Sequence, residues 1–292
     1  MKQKILISTG GTGGHVIPAI TIYDHLKNKH EVTICTDVRG LKYLDINKFK
    51  IFEIDTPKLN RAILLPFTIL KVFFLTIKSL LLLKKEKIQI LISTGGYMSL
   101  PLCLAGKILN IKIFLLEPNM TIGRANKFFL NFCEKIICYS NNINGLPNKF
   151  KKKIEISSPF IRRQYYEKKF KENNNEIFTI MIVGGSQGAQ IFDEIIHESI
   201  VKISKIEPLK IIHQTSQKKV NFFKKFYSEK NLENIVFNFD NNLDMLISQS
   251  DLCITRAGAS SLAEIAHLNV PFIAIPLPTS KDNHQFENAN YY

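Results

Sequence analysis

The sequence predicts an α/β protein of two Rossmann-like domains whose parallel sheets face each other across a cleft. Short β-rich runs alternate with longer helical runs, which is typical of parallel sheets built from βαβ units. Several short runs are apolar throughout, as strands buried on both faces must be. Each half also opens with a strand that enters a glycine-rich turn, Leu6–Ser8 into Thr9–His15 and Met181–Val183 into Gly184–Ala189. A chain of 292 residues has room for two such domains.

The domain boundaries follow from a polar stretch rich in lysine, asparagine and glutamate, with Pro159 near its start. We expect an N-terminal domain over 1–157, a linker over 158–176 and a C-terminal domain over 177–292. The predicted strands of the N-terminal domain are Lys4–Ser8, Glu31–Cys35, Ile51–Ile54, Ile88–Ser93, Ile111–Leu116 and Lys135–Cys138. Those of the C-terminal domain are Phe178–Val183, Leu209–His213, Ile235–Phe239, Leu252–Thr255 and Phe272–Ile275.

The composition narrows the classes of partner. The formal charge of +14 comes almost entirely from lysines spread along the chain, and aromatic and basic residues do not interleave as in a base-stacking surface. The charge therefore favours an anionic membrane surface over nucleic acid. The five cysteines form no CxxC pair and lie in apolar runs, which predicts reduced core residues in a cytosolic protein. No cleavable signal peptide is expected, because the N-terminus runs directly into a strand.

The segment Leu64–Leu83 is a nearly continuous apolar run of about the length that spans a bilayer. Lys71 and Lys78 interrupt it on one helical face, and more basic residues flank it, which favours a helix lying in the membrane interface. A core helix with lysines extending to solvent and a true membrane span are the alternatives. The predicted membrane-contact residues are Leu64, Leu65, Phe67, Leu70, Lys71, Phe73, Phe74 and Lys78.

The first glycine-rich motif, Gly10–His15, follows a predicted strand and precedes a helix. Glycines let the backbone approach a ligand closely, and the N–H groups and dipole of the next helix favour anionic oxygens. His15 could accept a proton near neutral pH, or it could only cap the helix or hold the loop. The motif therefore predicts an anion-binding loop with a candidate base.

The second motif, Gly184–Ala189, has the same placement, and its Ser186 could donate to a phosphate oxygen. Its spacing is not G-x-G-x-x-G, and no acidic residue follows at a strand end about 20 residues on, so a nicotinamide dehydrogenase is disfavoured.

The third motif, Arg256–Glu264, could bind two parts of a nucleotide. The backbone amides at the start of its helix could bind a diphosphate, and the carboxylate of Glu264 could accept from ribose hydroxyls. Glu264 could instead be a solvated helix residue.

Three further polar loops follow predicted strands. Lys281–Gln285 carries carboxylate and amide groups that suit sugar hydroxyls, although it could also be a surface turn. Gly95–Tyr97 and Glu117–Asn119 follow two strands of the first half. No Asp-x-Asp motif is present, so we expect neither a metal nor another cofactor.

The ordered motifs resemble the MurG family, inverting glycosyltransferases of family 28 with the GT-B fold. The resemblance covers essentially the whole chain and is carried by GGTGGHVIPA, STGGYMSLP, EPNMTIGRANK, GGSQGA, RAGASSLAEIA and KDNHQFENA. It implies transfer of GlcNAc from UDP-GlcNAc to the 4-hydroxyl of the MurNAc of lipid I, which forms lipid II. It also implies a peripheral protein on the cytoplasmic face of the inner membrane.

The resemblance also implies roles for single residues. Thr12, Gly13 and Gly14 would lie near the sugar-phosphate end of the donor, and His15 or Glu117 would be the base. The remaining substrate-binding positions are Tyr97, Asn119 at the donor sugar, Arg162 at the nucleotide or phosphate, Ser186 at the diphosphate, Asp240 at the uracil, Ala259, Ser260 and Ser261 at the phosphates, Leu262, Ala263, Glu264 at the ribose and Gln285 at the GlcNAc hydroxyls.

Two departures from the family pattern leave alternatives open. The stretch before the second domain reads Ser158–Arg163 where the family has Gly-Asn-Pro-Val-Arg, so Arg162 or Arg163 could be the equivalent arginine. The chain ends at Tyr292, inside a predicted helix, where the family continues, so we expect an incomplete second domain. A related GT-B glycolipid transferase and a non-catalytic UDP-sugar-binding remnant are the competing interpretations.

Overall fold

The computed structural model describes residues 2–57, 65–167, 177–184, 190–240 and 242–292. The chain divides into two compact units, Met1–Arg162 (unit 1) and Arg163–Tyr292 (unit 2), and each contains one parallel sheet. The prediction of two Rossmann-like α/β domains is therefore confirmed. The division falls inside the predicted linker 158–176, part of which forms a short helix at the start of unit 2.

Unit 1 has seven parallel strands in the order β3-β2-β1-β4-β5-β6-β7. The strands are β1 Lys4–Ser8, β2 Glu31–Thr36, β3 Ile51–Glu53, β4 Ile90–Ser93, β5 Lys112–Glu117, β6 Lys135–Cys138 and β7 Ile154–Ile156. The helices are α1 Gly13–Leu26, α2 Val38–Leu41, α3 Leu65–Lys85, α4 Ser99–Ile108 and α5 Arg124–Phe129, with a 3₁₀ helix over Asn148–Lys153.

Unit 2 has five parallel strands in the order β10-β9-β8-β11-β12. The strands are β8 Phe178–Val183, β9 Leu209–Gln214, β10 Glu233–Phe237, β11 Leu252–Thr255 and β12 Phe272–Ala274. The helices are α6 Arg163–Glu167, α7 Gln190–Ile203, α8 Val220–Glu229, α9 Leu243–Ser248, α10 Ala259–His267 and α11 His284–Tyr291, with a 3₁₀ turn over Lys281–Asn283.

The strand order reverses next to the first strand of each unit. In unit 1 the reversal lies between β1 and β4, and in unit 2 it lies between β8 and β11. Ligands of open parallel sheets bind beyond the carboxyl ends of the strands at such a switch point. The motif Gly10–His15 follows β1 and the loop Gly95–Tyr97 follows β4, so both lie at the switch point of unit 1. Arg256–Gly258 follows β11 at the switch point of unit 2.

The strands run through the cores of both units, as their apolar sequences require. Leu6 and Ile7 of β1 and Leu91 of β4 are fully buried in unit 1, and Ile182 and Ile211 occupy the same role in unit 2. All five cysteines are free and buried, which confirms the predicted reduced core residues, and burial raises the pKa of Cys35, Cys103, Cys138 and Cys253 to about 12.

Each predicted strand is present, and its ends lie within two residues of those expected. The strand β7 was not predicted. It is three residues long, lies at the edge of the sheet and follows a run of lysines, so it has neither the length nor the apolar pattern of the central strands. Helix α1 begins at Gly13, so the last three residues of the motif Gly10–His15, which was expected to precede the helix, lie within its first turn.

Helix α3 exposes many apolar residues on one side and packs others, including Leu83, against the core of unit 1. Thr76 and Ser79 are buried, and their hydroxyls donate to the carbonyl oxygens of Val72 and Leu75, each at 2.8 Å. None of the described helices is long and apolar enough to cross a membrane. Leu64 lies outside the described residues, and Leu65 begins the helix. The exposed side chains of α3 include Phe67, Ile69, Leu70, Lys71, Phe73, Phe74, Ile77, Lys78 and Leu81.

Candidate active site

The loop after β1 turns sharply into helix α1. Gly11 has φ of +81°, a conformation that residues with a Cβ rarely adopt. The Thr12 side chain, at the N-cap of α1, makes no capping hydrogen bond. Gly13, the first residue of α1, is buried, whereas Gly14 is exposed and an added Cβ there would meet Oγ1 of Thr12 at 3.7 Å. The loop therefore presents backbone at a helix N-terminus, as the sequence predicted.

The ring of His15 is held by the neighbouring loop after β4. Its Nδ1 lies 2.7 Å from the carbonyl oxygen of Thr94. A carbonyl can only accept, so Nδ1 carries the proton and Nε2 is the acceptor of the neutral ring. The ring lies against the backbone of Gly95 and Gly96, where an added Cβ would meet ring atoms at 3.4 and 3.6 Å. His15 thus holds the loop and also has the tautomer that a base needs.

Glu117, the other candidate base, is a buried carboxylate at the end of β5 whose oxygens accept from four donors. Its Oε1 accepts from the backbone N–H and Nδ2 of Asn119 at 3.2 and 3.1 Å. Its Oε2 accepts from the N–H of Gly123 at 2.6 Å and from Nδ2 of Asn126 at 3.0 Å. Burial raises the pKa of Glu117, and these N–H donors offset only part of that effect. Its contacts organise the loop that carries Asn119.

Sequence reasoning missed Asp37, which the structure brings against the first glycine-rich loop. This carboxylate is fully buried at the N-cap of α2, and its Oδ1 accepts from the N–H of Gly11 at 2.8 Å. Its Oδ2 accepts from Nε and Nη2 of Arg39 at 2.8 and 2.6 Å. The available signal was an Asp directly after a buried strand and three residues before Gly40.

Two other residues of unit 1, Tyr97 and Arg162, were also predicted to bind substrate. Tyr97 is half-buried in the turn that precedes α4, one residue after Gly96. Arg162 is half-buried and is the last residue of unit 1, while Arg163 is exposed and begins α6. The choice between these two arginines stays open.

In unit 2, the start of the second glycine-rich loop is bonded to the end of β9. The N–H of Gly184 donates to Oε1 of Gln214 at 3.2 Å, and Nε2 of Gln214 donates to the carbonyl oxygen of Asn238 at 3.2 Å. Ser186, predicted at the diphosphate, lies outside the described residues, and its role stays a prediction.

A buried polar cluster lies just beyond that loop, in the first turn of α7. Oδ1 of Asp193 is 3.3 Å from Nε2 of His213, and its Oδ2 is 3.2 Å from Nζ of Lys219. The Tyr227 hydroxyl is 3.0 Å from Nδ1 of His213. Burial by itself would raise the pKa of Asp193, but His213, Thr215 and Lys219 outweigh it, so the pKa is lowered.

The third motif opens helix α10, whose N-cap residue makes no side-chain capping hydrogen bond. Gly258 is the N-cap, and Ala259, Ser260 and Ser261 are half-buried in the first turn. Leu262 and Ala263 are buried, and their contact with a substrate stays a prediction. Glu264 is 5% exposed, and the alternative of a solvated helix residue is therefore wrong.

Arg256 joins three elements beside that helix. Its guanidinium lies over the ring of Phe192 in α7 at 5.1 Å, and its Nη1 donates to the carbonyl oxygens of Ile275 and Pro276, each at 3.2 Å. Burial lowers the pKa of this guanidinium. Gln285 supports the same loop, because its Oε1 accepts from the N–H of Leu277 at 2.8 Å. One end of the Gln285 amide is thus structural.

Asp240, predicted near the uracil, is half-buried after β10, and its Oδ1 accepts from the N–H of Asn242 at 2.7 Å. Within the part of the chain that the structure describes, no group of three or more His, Cys, Asp or Glu side chains could hold a metal ion. The expectation of a metal-independent reaction stays a prediction.

Comparison with known sequences matches both halves of the chain to one family. Residues 5–138 match the glycosyltransferase family 28 N-terminal domain, and residues 179–292 match the glycosyltransferase family 28 C-terminal domain. A Pelagibacter ubique protein named UDP-N-acetylglucosamine–N-acetylmuramyl-(pentapeptide) pyrophosphoryl-undecaprenol N-acetylglucosamine transferase is 49% identical and aligns with 100% of this chain and 82% of its own length. A Rickettsia felis protein of the same name is 34% identical over 98% of this chain and 82% of its own length.

A solved structure shows the same architecture. The crystal structure of Acinetobacter baumannii MurG superposes with a TM-score of 0.76 at 26% identity, covering 100% of this chain and 83% of that one. The two parallel sheets of this chain match the architecture of that structure. The chain belongs to glycosyltransferase family 28, the family that includes MurG.

Proposed function

We propose that the protein transfers GlcNAc from UDP-GlcNAc to the 4-hydroxyl of the MurNAc of lipid I and so forms lipid II. The reaction named for the relatives at 49% and 34% identity supports this choice of substrates. The geometry of His15 carries the proposal, because the carbonyl of Thr94 fixes the proton on Nδ1 and so makes Nε2 the proton acceptor.

On the acceptor side, His15 takes the proton of the attacking hydroxyl at Nε2. The oxygen forms a bond to the anomeric carbon as the bond to the diphosphate breaks, and UDP leaves with that electron pair. Inversion follows from attack on the face opposite the leaving group. The imidazolium keeps its Nδ1–H bond to Thr94, so the ring need not reorient during the proton transfer.

Glu117 has a different part in this proposal. Both of its oxygens already accept from N–H groups of Asn119, Gly123 and Asn126, which leaves it poorly placed to take a further proton from substrate. We therefore assign the base to His15. Glu117 shapes the 118–126 loop and orients the Asn119 amide for the donor sugar.

On the donor side, unit 2 supplies positive potential and directed hydrogen bonds. The amides of Ala259, Ser260 and Ser261 at the start of α10 stabilise the leaving diphosphate, and Ser186 adds a hydroxyl. Glu264, a buried carboxylate one turn further, accepts from the ribose hydroxyls. The Nε2 of Gln285 donates to a GlcNAc hydroxyl while its Oε1 holds the loop.

His15→Ala and Glu264→Ala test the roles proposed on the acceptor side and on the donor side separately. With lipid I and UDP-GlcNAc as substrates, His15→Ala lowers kcat by about 10²–10⁴-fold and leaves the donor Kd unchanged. Glu264→Ala raises the donor Kd by about 10- to 100-fold, the loss of a charged hydrogen bond. His25→Ala, an exposed histidine on the same helix as His15, is the matched control and should keep wild-type rates.

The acceptor decides between this proposal and its competitors. Transfer to diacylglycerol but not to lipid I would indicate a related glycolipid transferase. Donor binding without turnover on either acceptor would indicate a UDP-sugar-binding remnant. Wild-type rates in both His15→Ala and Glu264→Ala would contradict the assigned roles.

We also propose that the exposed face of α3 binds the anionic cytoplasmic leaflet, where the polyprenyl-linked acceptor resides. Phe73 and Phe74 pack edge to face at the surface, and Lys71 and Lys78 lie exposed beside them. Apolar rings insert at the head-group boundary while lysines pair with acidic lipids. Phe74→Ser should reduce flotation with acidic liposomes, whereas Phe222→Ser, equally 60% exposed but on α8, should not. Flotation unchanged by Phe74→Ser would contradict the proposal.

A further inference from the structure

We propose that Asp37, paired with Arg39, is a positioning residue for the transfer reaction. It fixes the first glycine-rich loop, Gly10–Gly14, and through that loop the ring of His15. The proposal rests on the proposed function, since it concerns the geometry of the proposed base. Among the described residues, the side-chain hydrogen bonds of Asp37 join it to Gly11, Gly40 and Arg39.

The carboxylate of Asp37 joins the loop to the end of the neighbouring strand. Oδ1 accepts from the N–H of Gly11 at 2.8 Å and from the N–H of Gly40 at 2.9 Å, so a single oxygen links β1's loop to α2. The N–H of Thr9 donates to the carbonyl oxygen of Cys35 at 2.9 Å and adds a second link to β2. Both links fix residues within six positions of His15.

Close packing around Gly10 and Gly40 fixes the position of the loop backbone. An added Cβ on Gly10 would lie 2.7 Å from Oδ1 of Asp37 and 2.8 Å from Cγ of Met98. An added Cβ on Gly40 would lie 3.0 Å from Cα of Gly10. The two backbones therefore touch, and the loop is enclosed between α2 and the turn that precedes α4.

His15 lies between this loop and the backbone after β4. Its Nδ1 reaches the Thr94 carbonyl only while helix α1 begins where the loop now places it. An added Cβ on Gly96 would lie 3.7 Å from Nε2 of His15 and 3.9 Å from the carbonyl oxygen of Gly10. The two loops therefore contact each other beside the edge of the ring that carries Nε2. A shift of the Gly10–Gly14 loop would therefore move the His15 ring away from the carbonyl of Thr94. The proton would then no longer be fixed on Nδ1.

Arg39 neutralises the buried charge without being buried itself. Its Nε and Nη2 both bond to Oδ2 of Asp37, while its side chain remains 41% exposed. Both N–H groups converge on the single oxygen Oδ2, so the guanidinium holds that oxygen by two charge-assisted bonds and leaves Oδ1 to the backbone N–H groups of Gly11 and Gly40. The pair thus aims Oδ1 at Gly11 and Gly40.

Asp37→Asn tests the proposal, with Asp45→Asn as the matched control. Asp45 is an exposed residue of unit 1 that accepts from the N–H of Asn47, so the same chemical change there leaves the loop intact. We expect Asp37→Asn to lower kcat by about 10- to 100-fold with the donor Kd within about twofold of wild type. Arg39→Lys should show a smaller loss of the same kind, and Asp45→Asn none.

The ¹⁵N shifts of the His15 ring distinguish positioning from simple destabilisation. In the wild type, the proton should reside on Nδ1, and in Asp37→Asn the ring should populate both tautomers. A wild-type kcat in folded Asp37→Asn, or a loss of kcat with an unchanged His15 tautomer, would overturn the proposal. Should Asp37→Asn not fold, Arg39→Ala, whose side chain is partly exposed, gives the same readouts with the same expected direction.

The ring measurement also separates this proposal from the proposed function. A wild-type protein that transfers no GlcNAc to lipid I would contradict the function, yet the His15 tautomer would still report whether Asp37 positions the ring. Normal wild-type turnover with an unaffected Asp37→Asn would contradict only the positioning role.

Discussion

In both units, a side chain at the carboxyl end of the second strand, β2 or β9, accepts a hydrogen bond from the glycine-rich loop that follows the first strand. In unit 1, Asp37 follows β2 and accepts from Gly11 at 2.8 Å. In unit 2, Gln214 ends β9 and accepts from Gly184 at 3.2 Å. The topology places an acceptor at the same point twice, but the acceptor is a carboxylate in one unit and a neutral amide in the other. A charged acceptor makes the stronger bond and brings a dependence on pH.

The glycines of unit 1 are also more tightly packed than the glycine at the start of α10 in unit 2. Gly10 and Gly40 of unit 1 have atoms within 3.0 Å of any added Cβ, whereas Gly258 of unit 2 has its nearest neighbour, Oγ of Ser261, at 3.8 Å. The loop of unit 1 is tightly packed at Gly10, whereas the start of α10 has room for a Cβ at Gly258. We interpret this contrast as the difference between a loop that must orient a base and a helix end that must admit a diphosphate.

Gly40→Ala should give the largest effect. Its Cβ would lie 2.1 Å from Oγ1 of the buried Thr36 and 3.0 Å from the backbone of Gly10, so the loop or β2 must move. We expect a loss of about 3 kcal/mol in the free energy of unfolding of unit 1, measured by denaturant titration. Gly258→Ala, with open space around it, should change the stability of unit 2 by less than about 1 kcal/mol. Equal costs at the two positions would contradict the contrast in packing.

The second-largest effect on stability should come from the loss of the two acceptors that bond the glycine-rich loops, Asp37 and Gln214. Asp37→Asn removes the charge that pairs with Arg39 and should cost about 2–3 kcal/mol at pH 7, whereas Gln214→Ala removes neutral hydrogen bonds and should cost about 1 kcal/mol. Hydrogen exchange of amides in each unit measures the two losses separately.

The pH dependence of that cost sharpens the same comparison. Burial alone would raise the pKa of Asp37, but the N–H groups of Gly11 and Gly40 and the Arg39 guanidinium lower it overall. A lowered pKa stabilises the fold above the unfolded value of about 3.9, and this contribution is lost as pH falls through the folded value. The cost of Asp37→Asn should therefore shrink below about pH 4, while that of Gln214→Ala stays constant. A cost of Asp37→Asn that grows on acidification would contradict the ion pair.

The smallest effect is expected at Lys219, which pairs with the buried Asp193 from a partly exposed position. Lys219→Met should cost about 0.2–1 kcal/mol, because solvent screens the pair and His213 remains beside the carboxylate. Thermal unfolding of the variant against Lys225→Met, whose pair with Glu229 is exposed, measures the difference. A loss as large as that of Asp37→Asn would show that unit 2 also depends on a charged anchor.

Helix α3 shows where a local pattern was informative and where it was not. The apolar run and its two lysines predicted a long helix with exposed lysines, and the structure has both. The pattern did not reveal that Thr76 and Ser79 face the core, because the run is apolar on nearly every side and carries little periodicity. The buried face was chosen by the packing of α3 on the rest of unit 1.

The sequence by itself determined every described strand except β7, the glycine-rich turns and the family, because buried parallel strands and turn glycines leave local signals. Only the tertiary structure decided which residues meet at those turns. The carbonyl of Thr94 reaches His15 across 79 positions, and Asp37 reaches Gly11 across 26. Glu117 proved to be occupied by N–H donors, a fact invisible in the motif that contains it. Such contacts depend on strand order and register, which no local pattern encodes.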